Sequence, residues 1–207
     1  MSDESHFSIR RGEEPLPRFW PDRWSGPWGR RISRALFALV NAALTTAVLA
    51  LLAHWMHSPL VFPSLGPTAF LLFHRPLSRA ASPRNAVVGH SLAIFLGWLS
   101  LVLFGLTDAS ADIKSGLTAA QIAAAAFSIG LTSGLMVLLS VPHPPAGATT
   151  LIVALGLIHE PRHFPLLMLG VALLLVQGFF INRAAGLPYP VWGPVSPEIQ
   201  ARYPSFS

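Results

Sequence analysis

An all-α membrane protein is the fold class that this chain of 207 residues predicts. Hydrophobic residues make up 52% of it and charged residues only 11%. Four long runs hold no Asp, Glu, Lys or Arg, and two shorter uncharged runs are interrupted by proline near their starts. The expected architecture is four full spanning helices plus two proline-broken half-helix segments, arranged as an inverted 3+3 repeat. A soluble domain would alternate apolar and charged faces along each helix. Here charge is segregated between segments, and mean hydropathy is +0.54.

The elements follow in order. Residues 1–31 read as a basic, Trp- and Pro-rich interfacial tail, 32–186 as the transmembrane domain, and 187–207 as a Pro-rich C-terminal tail. Trp20, Trp24 and Trp28 recur at four-residue spacing, and such amphipathic rings settle at the headgroup level. Pro15, Pro17, Pro21 and Pro27 argue against one regular helix there. The uncharged runs Ala35–Met56, Asn85–Leu106, Leu117–Ser140 and Phe164–Asn182 are 22, 22, 24 and 19 residues long. About 20 apolar residues cross a bilayer core, so each qualifies as a span. The first run lacks a cleavage pattern and reads as a retained span. The shorter runs are Pro59–His74 and Pro144–Ile158. Beyond Gly186 the prolines at 188, 190, 194, 197 and 204 suggest an extended, surface-lying segment. No cysteine is present, which excludes disulfides and thiolate chemistry.

The 14 basic residues orient the spans. If both short runs cross, there are six crossings, with 12 basic residues on the side of both termini and 2 on the other. If both re-enter, the division is 10 against 4. The positive-inside rule favours six crossings with both termini cytoplasmic, in a bacterial inner (plasma) membrane. The arginines cluster beside spans, so the pI near 11.0 is an orientation signal and no nucleic-acid partner is expected. The expected partners are the lipid bilayer and a small anion; a homo-oligomer is left open.

The break is the most informative part of the chain. Pro142-His143-Pro144-Pro145-Ala146-Gly147-Ala148-Thr149-Thr150 forbids a continuous helix and then allows one to restart. Pro63-Ser64-Leu65-Gly66-Pro67-Thr68-Ala69 overlays its last seven residues at an offset of 81, sharing Pro-x-x-Gly-x-Thr. Flanking spans repeat at offsets of 82 and 79. Three crossings per unit turn the second unit upside down, the arrangement that places a site between two broken helices. Broken backbone at membrane depth persists only where it is buried in protein or lines a cavity.

Two half-helix N-termini attract anions through unpaired N–H groups and a partial positive charge. Together they contribute about 2–4 kcal/mol, comparable to the ~2.5–3.5 kcal/mol insertion cost of a charge at a span centre. The expected substrate site is therefore Gly66, Thr68, His143, Gly147, Ala148 and Thr149, held open by Pro63, Pro67, Pro144 and Pro145. Second in line come Asn85, His90 and Thr150. No span holds a carboxylate, which disfavours a sodium, potassium or proton pump. His143 either donates to an anion, carries a proton with it, or satisfies a carbonyl freed by the break. For His90 a structural role is favoured.

Other polar positions read as packing. Gln121, Ser128 and Thr132 form one stripe, of the kind that bonds helix to helix. Gly89-x-x-x-Ala93-x-x-x-Gly97 and Gly130-x-x-x-Gly134 permit close helix contact. His159-Glu160-Pro161-Arg162-His163 fits the zinc-protease pattern H-E-x-x-H, but Pro161 interrupts the helix it requires. No metal, cofactor or catalytic group is expected, and the chain is not read as an enzyme.

The stretch His143-Pro144-Pro145-Ala146-Gly147-Ala148-Thr149 resembles the signature of the HPP family of integral membrane proteins. Pro83-Arg84-Asn85 followed by Gly89-His90 looks like a second family feature, and the resemblance covers about residues 33–182. Members in photosynthetic organisms are implicated in nitrite transport, so the resemblance implies a small-anion transporter with nitrite the leading substrate. The proline before the signature histidine departs from the pattern. A membrane sensor or assembly scaffold that recruits partners through its tails is the competing reading.

Overall fold

The structure is a computed structural model that describes residues 26–58, 60–108, 116–204 and 206. The described residues form seven α-helices and contain no strand: α1 Pro27–Trp55, α2 Leu65–His74, α3 Pro83–Leu103, α4 Ala119–Leu138, α5 Pro145–Ala154, α6 Phe164–Ala184 and α7 Pro197–Arg202. Four of them, α1, α3, α4 and α6 (the last with its preceding 3-10 turn), are long and apolar enough to cross a membrane. Hydrocarbon offers no partner for a free N–H or C=O, so lipid-facing apolar chain at that depth must be helical. Prolines stand at the first turns of α1, α3, α5, α6 and α7, where no intrahelical N–H is lost. A capping box between Thr118 and Gln121 opens α4. Residues 1–25, with Trp20 and Trp24 and most of the predicted N-terminal tail, lie outside the described residues. Trp28 is exposed on α1.

α1 and α4 end in the same way. His57 and Ser140 adopt positive φ (47° and 54°), and the next amides, Ser58 and Val141, bond back to Ala53 and Met136. These are left-handed helix terminations, made here without glycine. Extended chain follows each, and then a short helix of 10 residues, about 15 Å long by the helical rise.

The short helices pack beside the spans in two matching contacts. A Cβ on Gly89 of α3 would lie 3.0 Å from His143 Cβ, and one on Gly97 would lie 2.8 Å from Val153 Cβ. On α6, a Cβ on Gly170 would lie 2.7 Å from the Leu60 carbonyl and 3.2 Å from Phe62, and one on Gly178 would lie 3.1 Å from Leu72. Each member of the first set sits 81 residues before or after its counterpart in the second. α5 therefore runs parallel to α3, and α2 runs parallel to α6. The two pairs run in opposite directions, because Tyr189 beyond the end of α6 reaches Ala81 just before the start of α3. Gly89 and Gly97 thus act as the close-packing surface expected of them. Gly130 and Gly134 do not: they are exposed, with nothing within 4 Å of a Cβ.

One end of the bundle gathers the basic segments. Leu77 N–H donates to the Phe206 carbonyl and Arg84 N–H to that of Trp192, while the Arg34 guanidinium of α1 lies over the Phe206 ring. The C-terminal segment is extended up to α7, but Leu187, Tyr189 and Phe206 are buried in the core. Most of the segment's other described side chains are exposed or half-buried, and these three apolar side chains anchor it by inserting between α1, the α2–α3 connection and α6.

Candidate functional site

Five polar side chains converge where the first turns of α2 and α5 overlap. Ser64 precedes α2, Thr68 lies within its first turns, His143 precedes α5, Thr149 lies in its second turn, and His90 comes from α3. Each is no more than 1% exposed. The breaks make this convergence possible. Pro144 and Pro145 end the extended segment and start α5 just beyond His143, and Gly89 lets that segment press against α3. His90 stands seven positions after Pro83, so it lies roughly 10 Å from the start of a helix roughly 30 Å long.

His90 is the hub. Its Nε2 is 3.2 Å from His143 Nε2 and 3.3 Å from Thr68 Oγ1; its Nδ1 is 2.8 Å from Thr149 Oγ1. Thr149 Oγ1 is in turn 2.6 Å from Ser64 Oγ. His143 Nδ1 lies 2.7 Å from the Ala80 carbonyl oxygen, and Thr68 donates to the Ser64 carbonyl at 3.0 Å. Donor logic orders the neutral network. A carbonyl only accepts, so His143 Nδ1 carries its ring hydrogen and Nε2 accepts. His90 then donates from Nε2 and accepts at Nδ1 from Thr149, which leaves Ser64 to donate to Thr149. A single polarised line of hydrogen bonds runs from Ser64 to Ala80.

The segment holding Ala80 is itself braced. Tyr189 donates to the Ala81 carbonyl at 2.7 Å, and Gln200 donates to that of Leu77 at 3.1 Å. Asn85 Nδ2 donates to the carbonyls of Arg79 and Pro142, tying the start of α3 to the residue before His143.

Of the residues expected at the site, Thr68, His143, Thr149 and His90 come together. Gly147 lies against Ile129 of α4, and its N–H donates to the Pro144 carbonyl at 3.0 Å, while Ala146 N–H donates to His143 at 3.0 Å. Ala148 is half-buried beside it. Gly66 and Pro67 are exposed, and Gly66 lines, with Pro63, a mainly apolar cleft of about 370 Å³ that also involves Thr46, Leu49 and Leu174. Thr150 turns away from the histidines and donates to Thr132 at 3.1 Å, which makes that part of the α4 stripe a packing contact. The His159–His163 run ends in a 3-10 turn, Pro161–His163, rather than the α-helix that H-E-x-x-H requires.

Sequence reasoning missed Ser64, the Ala80 carbonyl and the supporting Tyr189. Ser64 stands inside the repeat opposite a proline, so its own pattern offered no signal. The other two depend on contacts across 63 and 108 residues of chain.

The model of the HPP transmembrane region matches residues 28–190, which include both short helices and all five side chains. Two transmembrane proteins of Dictyostelium discoideum are each 30% identical to the chain over 134 residues, 62% of its length. The chain spans 44% and 40% of those curated relatives, less than half of either. No solved structure matches it. With the family match running from the first span through the buried histidines to the end of the last span, the chain belongs to the HPP transmembrane family.

Proposed function

We propose that this chain is a small-anion transporter, with nitrite the first substrate to test, built as an inverted 3+3 repeat. The observation that carries the reading is the buried polar cluster at the overlap of the first turns of α2 and α5. Two positive helix ends, three hydroxyls and two imidazoles meet there, and no carboxylate lies on any span. The opposite directions of the α3–α5 and α6–α2 pairs support the inversion, as does the 81-residue recurrence of their glycine contacts. Each short helix is about half as long as a bilayer core is thick. The contacts among α1, the α2–α3 connection and the C-terminal segment favour six crossings, because re-entrant segments would put that connection on the face opposite the termini. The basic residues gathered there argue for a cytoplasmic face.

The cluster is sealed, so an anion enters by displacing hydrogen bonds that the side chains now make to one another. Ser64, Thr68 and Thr149 would donate to it from their hydroxyls, and His143 would orient it or supply a proton. The test is flux into liposomes for nitrite, nitrate, formate and chloride. Uptake of nitrite above protein-free liposomes is expected, and absence of flux for all four would sink the reading. Removing residues 188–207 does not separate transporter from scaffold, because Tyr189 and Phe206 belong to the core. His143→Ala does: a transporter loses flux, whereas a scaffold acting through its tails keeps its function.

A further inference from the structure

Building on the transport reading, we propose that the His90–His143 pair takes up one proton together with the anion, and that this proton reverses the hydroxyl donors of Thr149 and Ser64. In the neutral line from Ser64 through Thr149, His90 and His143, every hydrogen points toward Ala80. An added proton has its best-placed site at His90 Nδ1, 2.8 Å from Thr149, because Thr68 Oγ1 offers the Nε2 atoms only longer contacts of 3.3 and 3.5 Å. His143 Nδ1 already holds a hydrogen against the Ala80 carbonyl, and the Nε2 atoms 3.2 Å apart have room for only one hydrogen between them. The vacant position is His90 Nδ1, which now accepts from Thr149.

Uptake proceeds as a relay in which every oxygen gains one hydrogen and loses one. The incoming proton bonds to Ser64 Oγ, the original Ser64 hydrogen passes to Thr149 Oγ1, and the original Thr149 hydrogen passes to His90 Nδ1. Both imidazoles then carry a hydrogen on Nδ1 and share the one between their Nε2 atoms, with one positive charge over the pair. Thr149 now accepts from His90 and donates to Ser64. The Ser64 hydrogen points away from the cluster, free to meet an anion at the start of α2. Thr68 keeps its bond to the Ser64 carbonyl throughout.

The surroundings tie this charge to an anion. α2 brings Ser64 and Thr68 to the pair, with its own His74 stacked on Phe70 at the far end of the helix. α4 and α5 hold no titratable residue, and α6 holds only Arg183 in its last turn. On the Ala80 side, Arg79 is exposed and Arg84 donates to Asn85 and to the Ser140 carbonyl. No carboxylate on these elements faces the pair. A buried positive charge without a counter-charge is costly, so the proton is held when an anion arrives beside it. Because linkage is reciprocal, the anion must also promote proton uptake.

The experiment uses full-length protein with 15N-labelled histidine in nanodiscs, the two rings assigned through H90Q and H143Q. Ring-nitrogen shifts are followed from alkaline to acidic pH, with and without sodium nitrite, beside the liposome flux assay. The expected alkaline state has hydrogen on His143 Nδ1 and His90 Nε2. Acidification adds a single hydrogen at His90 Nδ1, nitrite moves the midpoint of that step to higher pH, and Thr149→Val removes the nitrite effect. Two protons taken up, none, or one at another nitrogen overturns the proposal, and nitrite flux in the same preparation leaves transport standing. A single proton whose uptake nitrite does not affect, in protein that still moves nitrite, overturns the coupling alone. An unmoved midpoint with no flux of any of the four anions removes the transport reading and the coupling with it.

Discussion

The contact between α3 and α5 and the contact between α6 and α2 share a frame but differ in their contents. In each, two glycines eight residues apart on a long helix let a short parallel helix and its extended leader pack closely. In the first, Gly89 faces His143, with His90 beside it. In the second, Gly170 faces Phe62, with Val171 in the place of His90. Counterparts sit 81 residues apart. Thr68 and Thr149, one from each half, are the polar positions they share, and they contact opposite nitrogens of the same ring. The difference teaches that the repeated frame places the short helices, whereas the titratable pair of imidazoles is present on one side only.

The largest effect expected comes from making the polar contact resemble its apolar counterpart. His143→Phe with His90→Val copies the Phe62–Val171 pair onto the α3–α5 side, where Gly89 already allows a bulky neighbour. Flux should fall to the protein-free level while the helical spectrum is kept. Stability should drop by about 1–3 kcal/mol, because the Ala80 carbonyl loses its buried donor. Nitrite uptake surviving in this variant would show that the histidines are packing and that the two contacts are functionally alike.

A smaller effect tests the frame itself. Gly97→Ala places a Cβ 2.8 Å from Val153 Cβ and 3.0 Å from the Thr150 carbonyl, and Gly170→Ala places one 2.7 Å from the Leu60 carbonyl. Backbone and branched Cβ atoms cannot move aside cheaply, so each should cost about 1–3 kcal/mol. In Gly178→Ala the nearest atom is the end of the Leu72 side chain at 3.1 Å, which can rotate, so its cost should be the least of the three. Thermal unfolding of the purified variants checks the order. Equal losses in all three would mean that the mobility of the neighbouring atom does not set the cost.

Much of this was legible in the chain. Uncharged runs of about twenty residues mark α1, α3, α4 and α6, because hydrocarbon excludes charge and demands helix. The prolines at 63, 144 and 145 mark both breaks, and the Thr68–Thr149 match points to the shared cluster. The pairing of Gly89 and Gly97 with Gly170 and Gly178 was also there to be read at the same offset, but spacing alone says nothing about which helix each glycine meets. The sequence places His90 below the backbone of Gly147 and Ala148, although the Gly147 amide is closed on Pro144. Periodicity cannot show that, since cap geometry depends on where the preceding chain turns. The C-terminal segment carried proline, which argues for extended chain but not for exposure; Tyr189 and Phe206 are held by partners distant in sequence.

Tyr189→Phe should have a modest effect. It removes one buried hydrogen bond to the Ala81 carbonyl and leaves the ring's packing in place, for about 1 kcal/mol. The loss falls next to the carbonyl that holds His143, so flux should decline more than stability alone explains. A variant with wild-type flux at matched folded fraction would show that the C-terminal brace does not reach the polar contact.

The smallest expected effect separates the two breaks. Gly66 is exposed in the first turn of α2, with nothing within 4 Å of a Cβ and no positive φ. Alanine favours helix over glycine by up to about 1 kcal/mol, so Gly66→Ala should be neutral or slightly stabilising and should leave flux unchanged. Gly147→Ala brings a Cβ to 3.3 Å from Ile129 Cδ1, a flexible end that can yield, so its cost should also be small. If Gly66→Ala unfolds no earlier than wild type yet abolishes nitrite flux, the anion must approach the α2 backbone through the cleft beside Thr46. The α2 break would then contribute its exposed backbone to the anion path as well as the Ser64 and Thr68 hydroxyls.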